Sequence, residues 1–424
     1  MPSNADAQGG RVAFTHPGFV LFQVARFLIV SAVEMQAVAV GWQVYEISKR
    51  PLDLGYVGLA QFLPAILLFP ISGHASDRFE RRNVLSACYG GYAVCFALLL
   101  LLTRRAPSIE LIYVVLVLIG IVRSFNSTAS RAILPQLVPQ EHFPNAVAWN
   151  ASIFQAATIL GPSFGGIVYA AFHGPEAVYA IAMVTAVGAT ISSFRIRPEV
   201  KPRPREPMSL KTVFAGLHYI WNKKLILGAI SLDLFAVLLG GAVALLPVYA
   251  REILHTGPWG LGLLRTAPGA GAAVMAVLLA HWPMRGKSGR TLLWAVAGFG
   301  VFTIIFGVSR SLTLSLISLF LLGASDMISV IIRATLTQLA TPDEMRGRVT
   351  AVDMIFIGTS NEFGQFESGV TAQWFGTVPA VILGGVGTLI VIALWTWWFP
   401  ELRNAGPLHT IASGVESATT ADPA

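Results

Sequence analysis

The chain has 424 residues, of which 54% are hydrophobic and only 12% charged, and it carries a formal net charge of +7. A soluble domain needs about 25% charged residues to clothe its surface, so this composition excludes an ordinary water-soluble globule and suits a surface that faces lipid. The positive charge does not point to nucleic acid, because the basic residues fall in short clusters between apolar runs.

Apolar runs of about 20 residues cross a ~30 Å hydrocarbon core as helix. The sequence supplies twelve, at about residues 17–46, 54–75, 83–103, 109–134, 144–172, 176–194, 224–250, 257–283, 290–309, 312–338, 346–373 and 377–400. The first, from Phe19 to Val44, is too long for the core of a cleavable signal and lacks a clear cleavage site. Cys88 and Cys95 share the third run, seven residues apart with no metal-site spacing, and read as small packing residues.

The expected fold is therefore an all-α membrane protein of twelve transmembrane helices. Residues 1–194 form an N-terminal six-helix bundle and 223–400 a C-terminal one. Between them, 195–222 is a basic, proline-rich linker, too rich in proline for a helix interior at its start. Its stretch from Leu210 to Trp221 has apolar residues at helical spacing and suits a helix on the membrane surface. The polar tail, 401–424, is expected to be disordered. With the N-terminus inside, eighteen Lys and Arg fall in cytoplasmic segments and six outside, which predicts both termini in the cytoplasm.

The two halves share an internal repeat. Arg131–Pro139 (RAILPQLVP) matches Arg333–Pro342 (RATLTQLATP) with one extra residue. Beyond it, Pro139, Glu141, Gly161 and Gly166 match Pro342, Glu344, Gly364 and Gly369. Polar positions match as well as apolar ones, which predicts two pseudo-symmetric bundles of the parallel-repeat kind found in transporters.

Three patches carry a family resemblance. Between the second and third runs stand Gly73, Asp77, Arg78, Arg81 and Arg82; in the fifth run stand Gly161, Pro162, Gly165 and Gly166. The third patch covers the tenth and eleventh runs, including Asp326, Arg333, Glu362 and Glu367. Together they resemble the major facilitator superfamily, in particular its branch of enterobactin exporters and drug:proton antiporters. The resemblance implies that the first patch is a cytoplasmic gating motif in which Asp77 latches one conformation; the plain alternative is a positive-inside loop. It implies that the second is an exporter-like motif. Physically, its proline removes a helix hydrogen bond and its glycines admit a close neighbour. The second-half counterpart of the gating motif has Arg285 where an Asp is expected, so no symmetric second latch is anticipated.

An ionisable group at bilayer depth costs at least ~2.5–3.5 kcal/mol on insertion scales and is a functional candidate by default. Candidates for proton coupling or substrate binding are Glu34, Arg123, Asp233, Asp326, Arg333, Glu362 and Glu367. Glu34 either handles a proton or serves as a structural counter-charge to Arg26. Asp326 and Arg333 stand about two turns apart on one face and pair either directly or through other helices. Gln36, Gln43, Asn126, Asn150 and Gln155 either line the pathway or bridge helices.

The resulting expectation is a secondary active transporter of the inner (plasma) membrane, a proton-coupled exporter of a siderophore- or drug-like small molecule working by alternating access as a monomer. The alternatives are an importer of a sugar or metabolite and, more remotely, a membrane sensor or enzyme. No phosphate-binding loop or His-x-x-His pattern occurs, so no nucleotide, metal, other cofactor or nucleic-acid partner is expected.

Overall fold

The computed structural model describes residues 10–105, 108–198, 210–282 and 286–407. The expected disorder of the tail after residue 407, the proline-rich stretch 199–209 and Arg285 lie outside the described residues. Every described element is helical.

The first half contains α1 (Pro17–Ser48), α2 (Pro51–Leu67), α3 (Phe69–Arg78), α4 (Arg81–Arg105), α5 (Ile109–Ile133), α6 (Phe143–Phe172) and α7 (Glu176–Phe194). A short α8 (Leu210–Asn222) follows. Then come α9 (Lys224–Leu239), α10 (Gly257–His281), α11 (Ser288–Val308), α12 (Leu312–Leu339), α13 (Asp343–Phe375) and α14 (Thr377–Trp398).

Among the described residues, ten helical segments are long and apolar enough to cross a membrane. The two remaining expected crossings depart from that pattern for visible reasons. The span expected at 54–75 is divided at Leu68 into α2 and α3, four residues after Pro64, which lies inside α2 and has no N–H to donate. The span expected at 346–373 is the 33-residue α13, whose run Asn361, Glu362, Gln365, Glu367 makes it too polar to count as apolar. The span expected at 224–250 is among the ten, as Lys224–Ile253, but its helix is interrupted: α9 ends at Leu239, and the chain continues through Gly240 and Gly241 into a 3-10 turn at Ala242–Leu245.

The chain forms two compact units. Unit 1 comprises Met1–Lys49, Leu59–Met208 and Thr256–Thr266; unit 2 comprises Arg50–Gly58, Ser209–His255 and Ala267–Ala424. In unit 1 the main helix pairs are α1–α6, α1–α7, α4–α7 and α4–α5. In unit 2 they are α9–α13, α9–α14, α11–α14 and α11–α12. Each pair in one unit has its counterpart in the other, so the sequence repeat is also a repeat of packing.

The glycines of the repeat make the same kinds of contact in both units. In unit 1, a Cβ on Gly161 would come 3.1 Å from the Ser31 carbonyl of α1, and one on Gly166 would come 2.9 Å from the Gly262 Cα of α10. In unit 2, a Cβ on Gly364 would come 3.0 Å from the Val237 carbonyl of α9, and one on Gly369 would come 3.1 Å from the Gly55 Cα of α2. Real Cβ atoms barely fit at such distances, so these helices meet backbone to backbone, as small residues permit in membranes.

The stretch from Leu210 to Trp221 forms a helix, α8. Ile220 is fully buried and packs with Ile226, Ile230, Val349 and Val352. Tyr219 donates to the Ala340 carbonyl at 3.3 Å. The other face leaves Phe214 and Trp221 exposed, the division expected of a helix with one face on protein and one toward a lipid boundary.

Candidate functional site

Unit 1 places Glu34 midway along α1, half-buried, beside Gly161 of α6. The charges that reach it are those of Arg265 on α10 and Arg123 on α5. The expected counter-charge, Arg26, is elsewhere. It lies eight residues earlier, about 12 Å along the axis, with its guanidinium 5.2 Å from the centre of the Phe154 ring. Arg265 was not singled out from the sequence. The available signal was an arginine within the glycine-rich stretch of α10, which has no other charged residue before His281.

The helix α6 that carries the glycine-proline motif closes this region. A Cβ on Gly165 would stand 2.8 Å from the Met35 Cα, and Pro162 is buried. Ser163 and Thr266 share a hydroxyl hydrogen bond at 2.7 Å, and Thr266 also donates to the Ile159 carbonyl at 3.0 Å. That carbonyl lies one turn from the proline, where side-chain hydroxyls re-satisfy loosened backbone.

The polar candidates of unit 1 divide by bonding. Gln43 is structural: it donates to Thr103 at 2.9 Å and accepts from Tyr179 at 2.7 Å, tying α1 to α4 and α7. Asn126 accepts from Ser130 at 3.2 Å, and Asn150 accepts from Gln23 at 3.5 Å. Gln155 is half-buried on α6. Gln36 is fully buried, and neither end of its amide has a hydrogen-bond partner among the described residues.

In the expected gating motif, the Asp77 side chain lies outside the description. Arg81 donates to the Ala132 carbonyl at 2.9 Å, and Arg82 donates to the Ile196 carbonyl at 3.3 Å. Both therefore meet the negative carbonyl ends of α5 and α7 within unit 1. Arg82 also pairs with Glu80 at 3.1 Å. Arg78 is exposed, and a Cβ on Gly73 would meet open space, so packing does not demand glycine there.

Unit 2 holds a more developed charge cluster. Arg333, 4% exposed, pairs with Asp233 of α9 at 3.2 Å and with Asp353 of α13 at 2.6 Å. Asp326 is not hydrogen-bonded to Arg333; it lies about two turns earlier on α12, within the fields of Asp233 and Arg333. Of the two readings open from the sequence, Arg333 pairs through other helices. Asp353 was missed by the sequence reading, although a lone Asp inside an expected span was the signal.

These groups border a cavity of about 320 Å³ lined by Asp233, Asp326, Arg333, Phe299, Asn361 and Gln365, among others. The break in α9 forms part of its wall through Gly240, Gly241, Ala242 and Val243. Irregular backbone at membrane depth is tolerated where it lines a cavity. Glu362 is buried and accepts from Gln365 at 3.4 Å. Glu367 accepts from Thr371 at 2.6 Å. Among the described residues there is no cluster of His, Cys, Asp and Glu suited to a metal.

The model of the Major Facilitator Superfamily matches residues 18–365. The enterobactin exporter EntS of Citrobacter koseri is 27% identical over 399 residues, covering 92% of this chain and 94% of that protein. The uncharacterised MFS-type transporter YfiS of Bacillus subtilis is 25% identical over 364 residues, covering 83% of this chain and 85% of that protein. Among solved structures, a bacterial homolog of the lysosomal transporter Spinster, inward-facing and unoccupied, aligns with a TM-score of 0.71 at 13% identity, covering 91% of this chain and 98% of that one. A D-xylose–proton symporter aligns with a TM-score of 0.69 at 15% identity, covering 92% and 99%. These two show the shared fold.

Proposed function

The chain belongs to the Major Facilitator Superfamily and is a multi-pass membrane transporter of small molecules rather than an enzyme, and from that premise we propose that it is a proton-coupled exporter. The observation that carries the coupling is Glu34, a carboxylate midway along α1, set against the glycine-proline helix and within the fields of Arg265 and Arg123. A carboxylate so placed gains or loses its favourable pairing with arginine as it releases or takes up a proton. Arg265 and Arg123 hold the ionised form; a proton from the outer side releases them. The helices that carry these three groups, α1, α5 and α10, are then free to take a second arrangement, which is alternating access with the proton as driver.

Export as the direction is supported by likeness along nearly the full length to enterobactin exporters and by the motif at Gly161, Pro162, Gly165 and Gly166. The N-terminal and C-terminal six-helix bundles are the two transport halves. The membrane is the inner (plasma) membrane, as likeness to EntS supports, and the distribution of Lys and Arg supports both termini in the cytoplasm.

The test is flux in everted membrane vesicles, where an exporter accumulates its cargo inside. Cargo is first found by screening a deletion strain for hypersensitivity. Accumulation is expected to need a proton gradient, to collapse with an uncoupler, and to lose its dependence on pH in Glu34→Gln while the variant remains folded. Transport indifferent to the uncoupler removes the coupling claim. Accumulation only in right-side-out vesicles makes the protein an importer.

A further inference from the structure

The interior of unit 2 carries an imbalance of charge beside an open cavity. Three carboxylates, Asp233, Asp326 and Asp353, face one guanidinium, Arg333. The two terminal nitrogens of Arg333 are taken by Asp233 and Asp353. Asp326 lines the cavity without a hydrogen bond or ion pair to any described residue.

A second observation points to an occupant. Asp326, Ser329 and Arg333 follow one another at spacings of three and four, so they share one face of α12. Ser329 is 2% exposed, and its hydroxyl has no hydrogen-bond partner among the described residues. It borders a side void of about 10 Å³ together with Asp233, Asp326 and Phe299. A buried hydroxyl without a partner is costly, and such groups ordinarily find one in protein, ordered water or a ligand. The C-terminal end of α9 adds to the same field. Gly240, where that helix stops, lines the cavity, and a helix C-terminus carries partial negative charge.

Val237, Leu319, Leu322 and the ring of Phe299 add apolar surface to the wall, and the amides of Asn361 and Gln365 add polar groups. A cavity with both acidic and apolar lining suits a protonated amine on a hydrophobic body. Phe299 borders the side void together with Asp233 and Asp326, and an aromatic ring near carboxylates further favours a cation.

We propose that the cavity of unit 2 binds a small monovalent organic cation, whose charged end touches Asp326 and the Ser329 hydroxyl and whose body packs on Phe299, Leu319 and Leu322. Arg333, clamped between Asp233 and Asp353, positions Asp233 and leaves Asp326 as the uncompensated anion. This inference rests on the reading of the chain as a small-molecule carrier and names the class of its cargo. It does not depend on the direction of transport.

The test is equilibrium binding to the full-length protein in detergent by titration calorimetry. The probe is 4-phenylbutylammonium, compared at pH 8 with 4-phenylbutan-1-ol, its uncharged analogue. The wild type is expected to prefer the cation by at least about ten-fold, as loss of a charge-assisted contact implies. Asp326→Asn is expected to erase the preference, Asp326→Glu to retain it, and Ser329→Ala to weaken cation binding several-fold. Equal affinity for the two probes, no binding of the cation, or a preference that survives in Asp326→Asn overturns the proposal. The wild-type preference needs no variant, and Ser329→Ala stands in should Asp326→Asn fail to fold. Uncoupler-sensitive accumulation of an uncharged compound in everted vesicles, without cation binding, sinks the cation site and leaves the exporter standing. Cation binding with proton-indifferent flux does the reverse.

Discussion

A guanidinium at 4% exposure persists only where its charge is met, and Arg333 is met twice. Breaking such a buried set is expensive because the remaining charges lose their counter-ion, typically about 3–5 kcal/mol. Arg333→Met should therefore lower the melting temperature of the purified protein strongly. Adding Asp233→Asn and Asp353→Asn to it should recover most of the loss, since a neutral, packed interior often equals an ion-paired one. A triple variant no more stable than Arg333→Met would show that shape rather than charge sets the penalty. The same residues show where sequence reading runs out. Depth within an apolar run identified Glu34, Asp233, Asp326 and Arg333 as buried candidates, because depth is a property of one helix. The choice of partner is a property of several. Arg265 reaches Glu34 from 231 positions away, and Asp353 reaches Arg333 from the next helix, so neither pairing leaves a local trace.

At the scale of the element, the sequence pattern carried most of the helices and the repeat, since a run of about 20 apolar residues has few other fates. It failed where a helix is interrupted. The stop at Leu68 follows Pro64, and the stop at Leu239 precedes two glycines, yet proline and glycine also occur inside unbroken spans here, as Pro162 does in α6. Whether such a residue breaks a helix depends on what its neighbours offer the freed backbone. The glycine contacts are the sharper feature. A side chain at Gly166 would have to displace the backbone at Gly262, and one at Gly369 the backbone at Gly55. Gly166→Val and Gly369→Val should each cost about 1–3 kcal/mol or more through overpacking. Both should lower transport more than they lower the amount of protein in the membrane, measured by quantitative blotting beside vesicle flux. Gly73→Ala, facing open space, is the control expected to leave stability unchanged within about 0.5 kcal/mol.

For the molecule as a whole, topology is the property the sequence states most directly, because the count of Lys and Arg needs no knowledge of packing. In a background with Cys88→Ala and Cys95→Ala, both native thiols being buried, Arg203→Cys in the central linker should resist a membrane-impermeant maleimide in intact spheroplasts. It should react once the membrane is permeabilised. Labelling of intact cells would invert the orientation of the whole chain. The interior charges of the two units also differ in sign. Unit 1 sets Arg123 and Arg265 against Glu34, whereas unit 2 sets three carboxylates against Arg333. A duplicated scaffold has thus kept its packing while its two interiors diverged in chemistry.

The bare meeting of Gly166 with Gly262, and of Gly55 with Gly369, has a mechanical consequence. Apart from the Ser163–Thr266 hydrogen bond near the first and the Tyr56–Phe366 ring contact near the second, side chains do not interlock at these glycines, so parting them unfreezes few rotamers. What holds them is mutual attraction between main-chain atoms, and a gap of about 0.5–1 Å already forfeits a quarter to a half of it. Such a junction yields abruptly once displaced and grips again only on close return, behaving like a magnetic catch rather than a stretched spring.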